Sequence, residues 1–144
     1  MNSATQPAAD PIDHPAHYRV GGLECWDVIR AYRLGYHLGN ALKYVWRCGR
    51  KSEHRAEDLR KALAYLRNAA EAGGRDLVHG LPDDAGRPLP IEIAEALGLS
   101  VALSRAVSVI LSPVPDWRDL HLAAVHIGTE LASIDRELAE APAP

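Results

Sequence analysis

The sequence predicts an all-α fold, a compact helical domain of about five helices. Apolar residues recur at the helical spacing i, i+3, i+4, i+7 in several segments, and no long alternating stretch favours a sheet. The 144 residues suit a single domain that can bury a core of its own. We expect a flexible N-terminal arm at residues 1–12, followed by helical segments connected by short turns.

Three helices are predicted within residues 13–79. The first runs from Glu24 to about Tyr32. The second ends near Gly49, and its buried face is formed by Leu38, Ala41, Leu42 and Val45. Gly49 suits the left-handed conformation that follows many helices. The third runs from about Arg55 to Ala72, and its buried stripe is formed by Leu59, Ala62, Leu63 and Leu66.

The C-terminal part is predicted to be an antiparallel helical hairpin at residues 91–140. Residues 80–90 hold three prolines and two glycines, which indicates a linker loop. The two helices of the hairpin are expected at Ile91–Leu111 and Trp117–Glu140, and Asp116 is a good N-cap for the second. Heptad-like apolar seams on the two helices are formed by Ala96, Leu103, Val107 and Ile110, and by Leu120, Ala124, Ile127, Leu131, Ile134 and Leu138. This hairpin is expected to cover the first three helices or to bind another copy of the chain.

Charge and composition exclude some classes of partner. The net charge of −3 gives no global basic field, so a nucleic acid polymer is not the expected partner. Between Arg30 and Arg75, however, Lys and Arg outnumber Asp and Glu, which suits a small anionic ligand. Two cysteines without CxxC spacing, no signal pattern and no membrane-length apolar run predict a cytoplasmic protein without a membrane partner.

Two polar stripes lie opposite the apolar faces of the second and third helices. They consist of Asn40, Lys43, Tyr44 and Arg47, and of Asp58, Lys61, Tyr65 and Asn68. Lys and Arg supply donors for phosphate, Tyr offers a stacking face, and Asn can pair with a base edge. Either stripe alone is typical of a solvated helix face. Two stripes of this composition on adjacent helices favour a shared cleft.

A further group of polar residues precedes these helices. His14 and His17 come before Glu24 and Asp27, which share one face of the first helix. Such a group can supply an acid or a base, but its spacing is weak as a metal signature. The plain alternative is that the histidines belong to a turn while Glu24 caps its helix or pairs with Arg47. Trp26 and Trp46 are expected in the core or in a pocket wall.

Four strings give the sequence a resemblance to a known family. They are HPAHY at 14–18, GGLECWDVI at 21–29, LGNALKYVWR at 38–47 and EDLRKALAYL at 57–66. Together they resemble the SaV-like domain of unknown function of tailed phages and prophages. That family includes a small podophage nucleotide kinase without a P-loop. The resemblance covers about residues 14–67 and implies a nucleotide site formed by His14, His17, Tyr18, Gly22, Glu24, Asp27, Asn40, Lys43, Tyr44, Arg47, Lys51, Asp58, Lys61 and Tyr65.

The leading hypothesis is a nucleoside monophosphate kinase of the phage type. The catalytic group would be His17, Glu24, Arg47 and Lys61. In this scheme Lys43, Arg47, Lys51 and Lys61 hold phosphates, and Tyr44, Tyr65 and Asn40 hold the base. No metal ligands are assigned, and Mg²⁺ would enter only with the bound nucleotide.

Three other hypotheses remain open. One is a non-catalytic protein that sequesters a nucleotide such as a host immune signal. Another is a helical pyrophosphohydrolase that uses Glu24, Asp27, Glu57 and Asp58. The last is a helical interaction protein that dimerises through its C-terminal hairpin. The expected partners are a small-molecule nucleotide and a second copy of the chain in a homo-oligomer.

Overall fold

The computed structural model describes residues 12–13, 15–50, 54–72, 86–112 and 116–143, and within these ranges the chain is mostly helical. The predicted all-α class is confirmed. In chain order the described elements are a 3₁₀ turn (Ala16–Tyr18), β1 (Arg19–Val20), β2 (Leu23–Glu24), α1 (Cys25–Ala31), α2 (Tyr36–Arg47), α3 (Arg55–Glu71), α4 (Pro90–Leu97), α5 (Val101–Ile110) and α6 (Trp117–Glu140).

A small β-hairpin precedes α1. Its two strands are antiparallel, with Arg19 opposite Glu24 and Val20 opposite Leu23. Gly21 and Gly22 connect them with φ values of 55° and 77°. Two consecutive positive φ angles are typical of the tight turns whose twist matches a hairpin. This sheet was not predicted, because strands of two residues are too short to show an alternating pattern.

Helices α2 and α3 follow the predicted bounds closely. The four residues predicted for the buried face of α2 are all buried. Beyond its C-terminus Gly49 has a φ of 76°, as expected for a residue that follows a helix. Helix α3 begins at Arg55 and ends one residue before the predicted Ala72. In its predicted stripe only Leu63 is partly rather than fully buried.

The single helix predicted at Ile91–Leu111 is wrong, because the chain forms two helices there. Gly98 ends α4 with a φ of 61°, a left-handed conformation that an α-helix cannot contain. Ser100 then starts α5, and its hydroxyl accepts a hydrogen bond of 3.2 Å from the backbone N–H of Leu103. The expected linker also ends earlier than predicted, since Pro90 is the first residue of α4.

Helix α6 has the predicted bounds and the predicted cap. The Asp116 carboxylate accepts hydrogen bonds from the backbone N–H groups of Arg118 (2.8 Å) and Asp119 (3.0 Å). Along its predicted seam, Leu120, Ile127 and Ile134 are buried, Ala124 and Leu131 are partly buried, and Leu138 is 67% exposed. The predicted seam is therefore at least partly buried everywhere except at the last turn of the helix.

One continuous hydrophobic core receives side chains from all six helices of the described residues. Helix α3 packs against α2 and against α6, and α6 also packs against α5. The C-terminal helices therefore pack on α3 and α2, which for those two helices agrees with the expectation that they cover the N-terminal helices. The predicted N-terminal arm up to residue 11 and the linker segment 80–85 lie outside the described residues.

The glycine at the α4–α5 junction allows a direct test of this break. Replacing Gly98 by Ala should lower the free energy of unfolding by about 1 kcal/mol, because an L side chain is strained at a φ of 61°. Nothing lies within 4 Å of the added Cβ, so the cost is a backbone cost.

Gly128, inside α6, is the matched control. It also has open space around its Cβ position, but its backbone is helical. Gly128→Ala should therefore raise the free energy of unfolding by about 0.5–1 kcal/mol through helix propensity. Urea unfolding followed by circular dichroism measures both variants. Equal effects in the two would contradict the assignment of a left-handed break at Gly98.

Candidate functional site

The packing of α2 against α3 brings the two polar stripes together. Tyr44 of α2 and Tyr65 of α3 stack with a ring-centroid distance of 5.8 Å and an interplanar angle of 20°. Both rings are partly buried against the core. The stripes thus form one continuous patch rather than two separate solvated faces, and we call this patch the α2–α3 surface.

Three cationic side chains surround the Tyr44 ring. The distances to its centroid are 4.5 Å from Lys43 Nζ, 5.3 Å from Arg47 Cζ and 5.6 Å from Lys61 Nζ. A cation within about 6 Å of an aromatic face is attracted by the negative potential of the ring. The ring therefore helps three like charges to lie close together, although their mutual repulsion disfavours it.

A buried ion pair lies beneath this group. Arg47 Nε is 3.2 Å from Asp58 Oδ1, and the two side chains are only 13% and 3% exposed. The pair is poorly aligned, since neither Arg47 Nε nor Asp58 Oδ2 has a hydrogen-bond partner in the described part of the chain. Asp58 was expected on an open polar stripe. It is buried instead because the first turn of α3 faces α2, where the guanidinium of Arg47 compensates its charge.

The two lysines of the α2–α3 surface each contact a polar side chain of their own helix. Lys61 Nζ is 3.0 Å from the Glu57 carboxylate. The hydrogen bond between them raises the pKa of Lys61 and lowers the pKa of Glu57. Both groups therefore stay charged at neutral pH. Lys43 Nζ donates a hydrogen bond of 2.9 Å to the side-chain oxygen of Asn40.

Two residues at the start of α2 extend the aromatic cluster and were not among the predicted site residues. Tyr36 makes an edge contact with Tyr65, with ring centroids 5.7 Å apart, and His37 lies 6.5 Å from Tyr65. A hydrogen bond between the hydroxyls of Tyr65 and Tyr36 raises the pKa of Tyr65. The signal for Tyr36 was present, because it lies one turn before Asn40 on the same helical face.

A shallow cleft separates α1 from α2 and adjoins the α2–α3 surface. Its volume is about 280 Å³, and we call it the α1–α2 cleft. It is lined by Trp26, Ile29, Leu34, Gly35, Tyr36, Gly39, Asn40 and Lys43. Trp26 is 44% exposed, so it forms a wall of the cleft, whereas Trp46 is fully buried in the core. Both placements were among those expected for the two tryptophans.

The predicted site residues that precede α1 lie around the β-hairpin. Glu24 pairs with Arg19 across the strands at 3.1 Å, and Asp27 lies 3.7 Å from Arg30. The alternative pairing of Glu24 with Arg47 is therefore wrong, since Arg47 is held by Asp58. An open cavity of about 720 Å³ is lined by residues 19–24 and by Asp27.

The 3₁₀ turn carries two further predicted site residues and packs against α2. His17 and Tyr18 have ring centroids 4.1 Å apart. Gly22 lies in the turn of the β-hairpin, where its φ is positive. His14 and Lys51, also predicted for the site, lie outside the described residues. The structure thus places the predicted residues in two groups, one on the α2–α3 surface and one around the β-hairpin.

Neither cysteine is suited to act as a nucleophile. Burial raises the pKa of Cys25 to about 12 and that of Cys48 to about 11. A thiol with such a pKa has almost no reactive thiolate at neutral pH. Among the described residues, no group of three or more His, Cys, Asp or Glu side chains is arranged to hold a metal ion.

A DUF3310 domain, described as a protein of unknown function, is found at residues 12–67. This segment contains the 3₁₀ turn, the β-hairpin, α1, α2 and most of α3, and therefore every residue of the α2–α3 surface except Asn68. No curated protein and no solved structure matches the chain. In the part of the chain that the structure describes, no helix combines the length and apolar character needed to cross a membrane.

The buried ion pair makes a specific prediction about stability. Replacing Asp58 by Leu should lower the free energy of unfolding by about 3 kcal/mol, because it leaves the largely buried Arg47 charge without its partner. Adding Arg47→Met to that variant should recover much of the loss, since no unpaired charge then remains.

Urea unfolding of the wild type, the two single variants and the double variant completes a double-mutant cycle. Additive effects would contradict a direct coupling between Arg47 and Asp58.

Proposed function

We propose that the α2–α3 surface binds the phosphates of a nucleotide and that the chain is a nucleoside monophosphate kinase of the phage type. The observation that carries the proposal is the group of three cations around Tyr44, next to the stacked Tyr65. The DUF3310 match supports it only in delimiting the segment, because that family has no assigned function.

The cations have different parts in this proposal. Lys43 and Lys61 reach the surface and each carries three N–H donors, so they bind phosphate oxygens as compact charges. Arg47 is largely buried by its pairing with Asp58, and it acts mainly by holding Tyr44 and adding positive potential. Three cations against the carboxylates of Glu57 and Asp58 leave this surface positive, although the whole chain carries a charge of −3.

A phosphoryl transfer reaction suits such a surface. This chemistry depends on positioned phosphates and neutralised charge more than on covalent help from the protein. The acceptor is a phosphate oxygen of the monophosphate, and His17 is the candidate to orient it or take up its proton, because its 3₁₀ turn packs against α2. Glu24 is the second candidate, although Arg19 already holds its carboxylate. Mg²⁺ would enter with the nucleotide phosphates.

One observation favours a second candidate function, a non-catalytic protein that binds and sequesters a nucleotide. Each of the four carboxylates considered for catalysis lies beside a basic side chain: Glu24, Asp27, Glu57 and Asp58. A carboxylate that is already paired is a poorer base. The same pairing counts against a pyrophosphohydrolase, because that activity needs free carboxylates to hold Mg²⁺.

The proposal includes a homo-oligomer in the cytoplasm of a phage-infected or prophage-carrying cell. Its support is the resemblance of the motifs to a phage family, together with exposed apolar residues on α6. Leu122 and Val125 are 47% and 63% exposed, and apolar side chains at such spacing on a helix suit contact with another helix.

Lys61 is one of the two lysines proposed to bind the phosphates. Lys61→Gln should weaken binding of deoxynucleoside triphosphates by about twofold to fivefold, the range expected for one exposed charge interaction. Glu57→Gln should strengthen binding by a similar factor, because it removes the negative charge that Lys61 contacts. Isothermal titration calorimetry measures both changes.

Arg60→Gln is the matched control for Lys61→Gln. Arg60 is the neighbouring residue on α3 and loses the same charge, but it points to Asp135 of α6 at 3.7 Å. Its substitution should leave the affinity nearly unchanged. Equal effects of the two substitutions would show that only the net charge matters, and would contradict a phosphate site on this surface.

Turnover separates the two candidate functions. We expect chromatography of the wild-type reaction with a monophosphate and a triphosphate to show a diphosphate, and His17→Ala to reduce its rate at least tenfold. Tight binding with both nucleotides recovered intact would contradict the kinase and leave the sequestering protein.

A further inference from the structure

We propose that the α1–α2 cleft is the nucleobase subsite and that Trp26 and Tyr36 form its stacking walls. This inference rests on the proposed nucleotide site and assigns the base to a place different from the one expected from the sequence, Tyr44 and Tyr65. Those two rings stack on each other, and three cations surround Tyr44. They therefore suit the phosphate end of a ligand better than its base.

Both aromatic walls of the cleft are exposed. Trp26 is 44% exposed and Tyr36 is 67% exposed, although each adjoins well-buried residues of α1 or α2. Tryptophan is buried in most proteins because of its large apolar area. Two exposed aromatic rings line the same cleft. Their flat faces can stack on any nucleobase, because every base has an aromatic face of its own.

The α1–α2 cleft is small. Its volume of about 280 Å³ lies just below the usual range for small-molecule pockets. Gly35 and Gly39 line it without side chains, and a Cβ at Gly39 would meet Ile29 of α1 at 3.4 Å. The cleft suits one planar ring system rather than an entire nucleotide, whose phosphates must then lie outside it.

The Asn40 amide supplies the polar part of this subsite. Its nitrogen donates a hydrogen bond of 2.8 Å to the Tyr36 carbonyl, and its oxygen accepts one of 2.9 Å from Lys43. These bonds fix the orientation of the amide. One N–H and one lone pair are left, which is a donor–acceptor combination that matches the edge of a base.

Lys43 connects the two subsites. Its side chain lines the α1–α2 cleft and its ammonium also lies 4.5 Å from the centroid of Tyr44. A nucleotide with its base in the cleft would therefore place its first phosphate near Lys43 and direct the others towards Lys61. This geometry assigns the ligand class as a nucleoside 5′-phosphate rather than an inorganic polyphosphate.

The test compares ligands with and without a base. Isothermal titration calorimetry of the full chain is carried out with the four deoxynucleoside triphosphates and with inorganic tripolyphosphate. Trp26→Leu keeps the apolar bulk but removes the stacking face. It should weaken binding of the preferred nucleotide by about fivefold to a hundredfold, the range for one base–aromatic stack, and leave tripolyphosphate binding unchanged. Tyr36→Leu should behave in the same way.

Two controls make the result specific. Trp117→Leu removes another exposed tryptophan, which is 57% exposed and lies on α6, and should change neither affinity. Lys61→Gln should weaken nucleotide and tripolyphosphate alike, because it belongs to the phosphate end. Thermal unfolding verifies that each variant is folded at the temperature of the titration.

The outcomes separate this inference from the proposed function. Unchanged nucleotide affinity in both the folded Trp26→Leu and Tyr36→Leu variants would overturn the base subsite while leaving nucleotide binding in place. Equal affinity of the wild type for tripolyphosphate and for every nucleotide would also overturn it. A wild type that binds none of these ligands would overturn the proposed function, and the base subsite with it.

Discussion

The position of α3 between α2 and α6 is the constraint on which the rest of the structure depends. Leu59, Ala62 and Leu66 of α3 are buried in the common core, and the small side chain of Ala62 permits a close approach of neighbouring helices. Because one side of α3 packs on α2, the residues flanking its buried stripe must lie beside those of α2. The stacking of Tyr44 on Tyr65 and the pairing of Arg47 with Asp58 are consequences of this packing.

The buried ion pair links stability to the charge of the site. An isolated buried carboxylate would be neutralised or excluded, and an isolated buried guanidinium would be equally costly. Together Arg47 and Asp58 can remain in the interface, and the guanidinium also lies 5.3 Å from the centroid of Tyr44. The pair is therefore better explained as a device that fixes the register of α2 against α3 than as a source of net stability.

Helical periodicity predicted α2, α3 and α6 well, because each has a long apolar stripe and a recognisable start or end. Helical periodicity did not predict the break at Gly98, because apolar residues continue on both sides of it. The burial of Asp58 was also missed. Periodicity separates apolar from polar residues, but a polar residue at the edge of a stripe is buried or exposed according to its partner in the fold, which one helix cannot reveal.

The candidate site was predictable only where helical spacing places its residues. The stripes on α2 and α3 follow from spacing, and extending the α2 stripe by one turn would have included Tyr36. Trp26 was expected as core or pocket wall, but its relation to Asn40 and Lys43 depends on how α1 meets α2. That packing is tertiary and leaves no mark in the spacing of either helix.

Residues beyond 67 lie outside the family match but help to hold the candidate site in place. Arg55 of α3 reaches Glu130 and Glu137 of α6, and the neighbouring Arg60 reaches Asp135. Lys61 follows Arg60 directly but points to the other side of α3, towards Tyr44. One helix thus uses some of its cations to attach itself to α6 and leaves another at the site. A change in α6 that released Arg55 or Arg60 would loosen α3 without touching any residue proposed to bind the ligand. The C-terminal helices therefore act as the support that keeps the positive charge of α2 and α3 in one place.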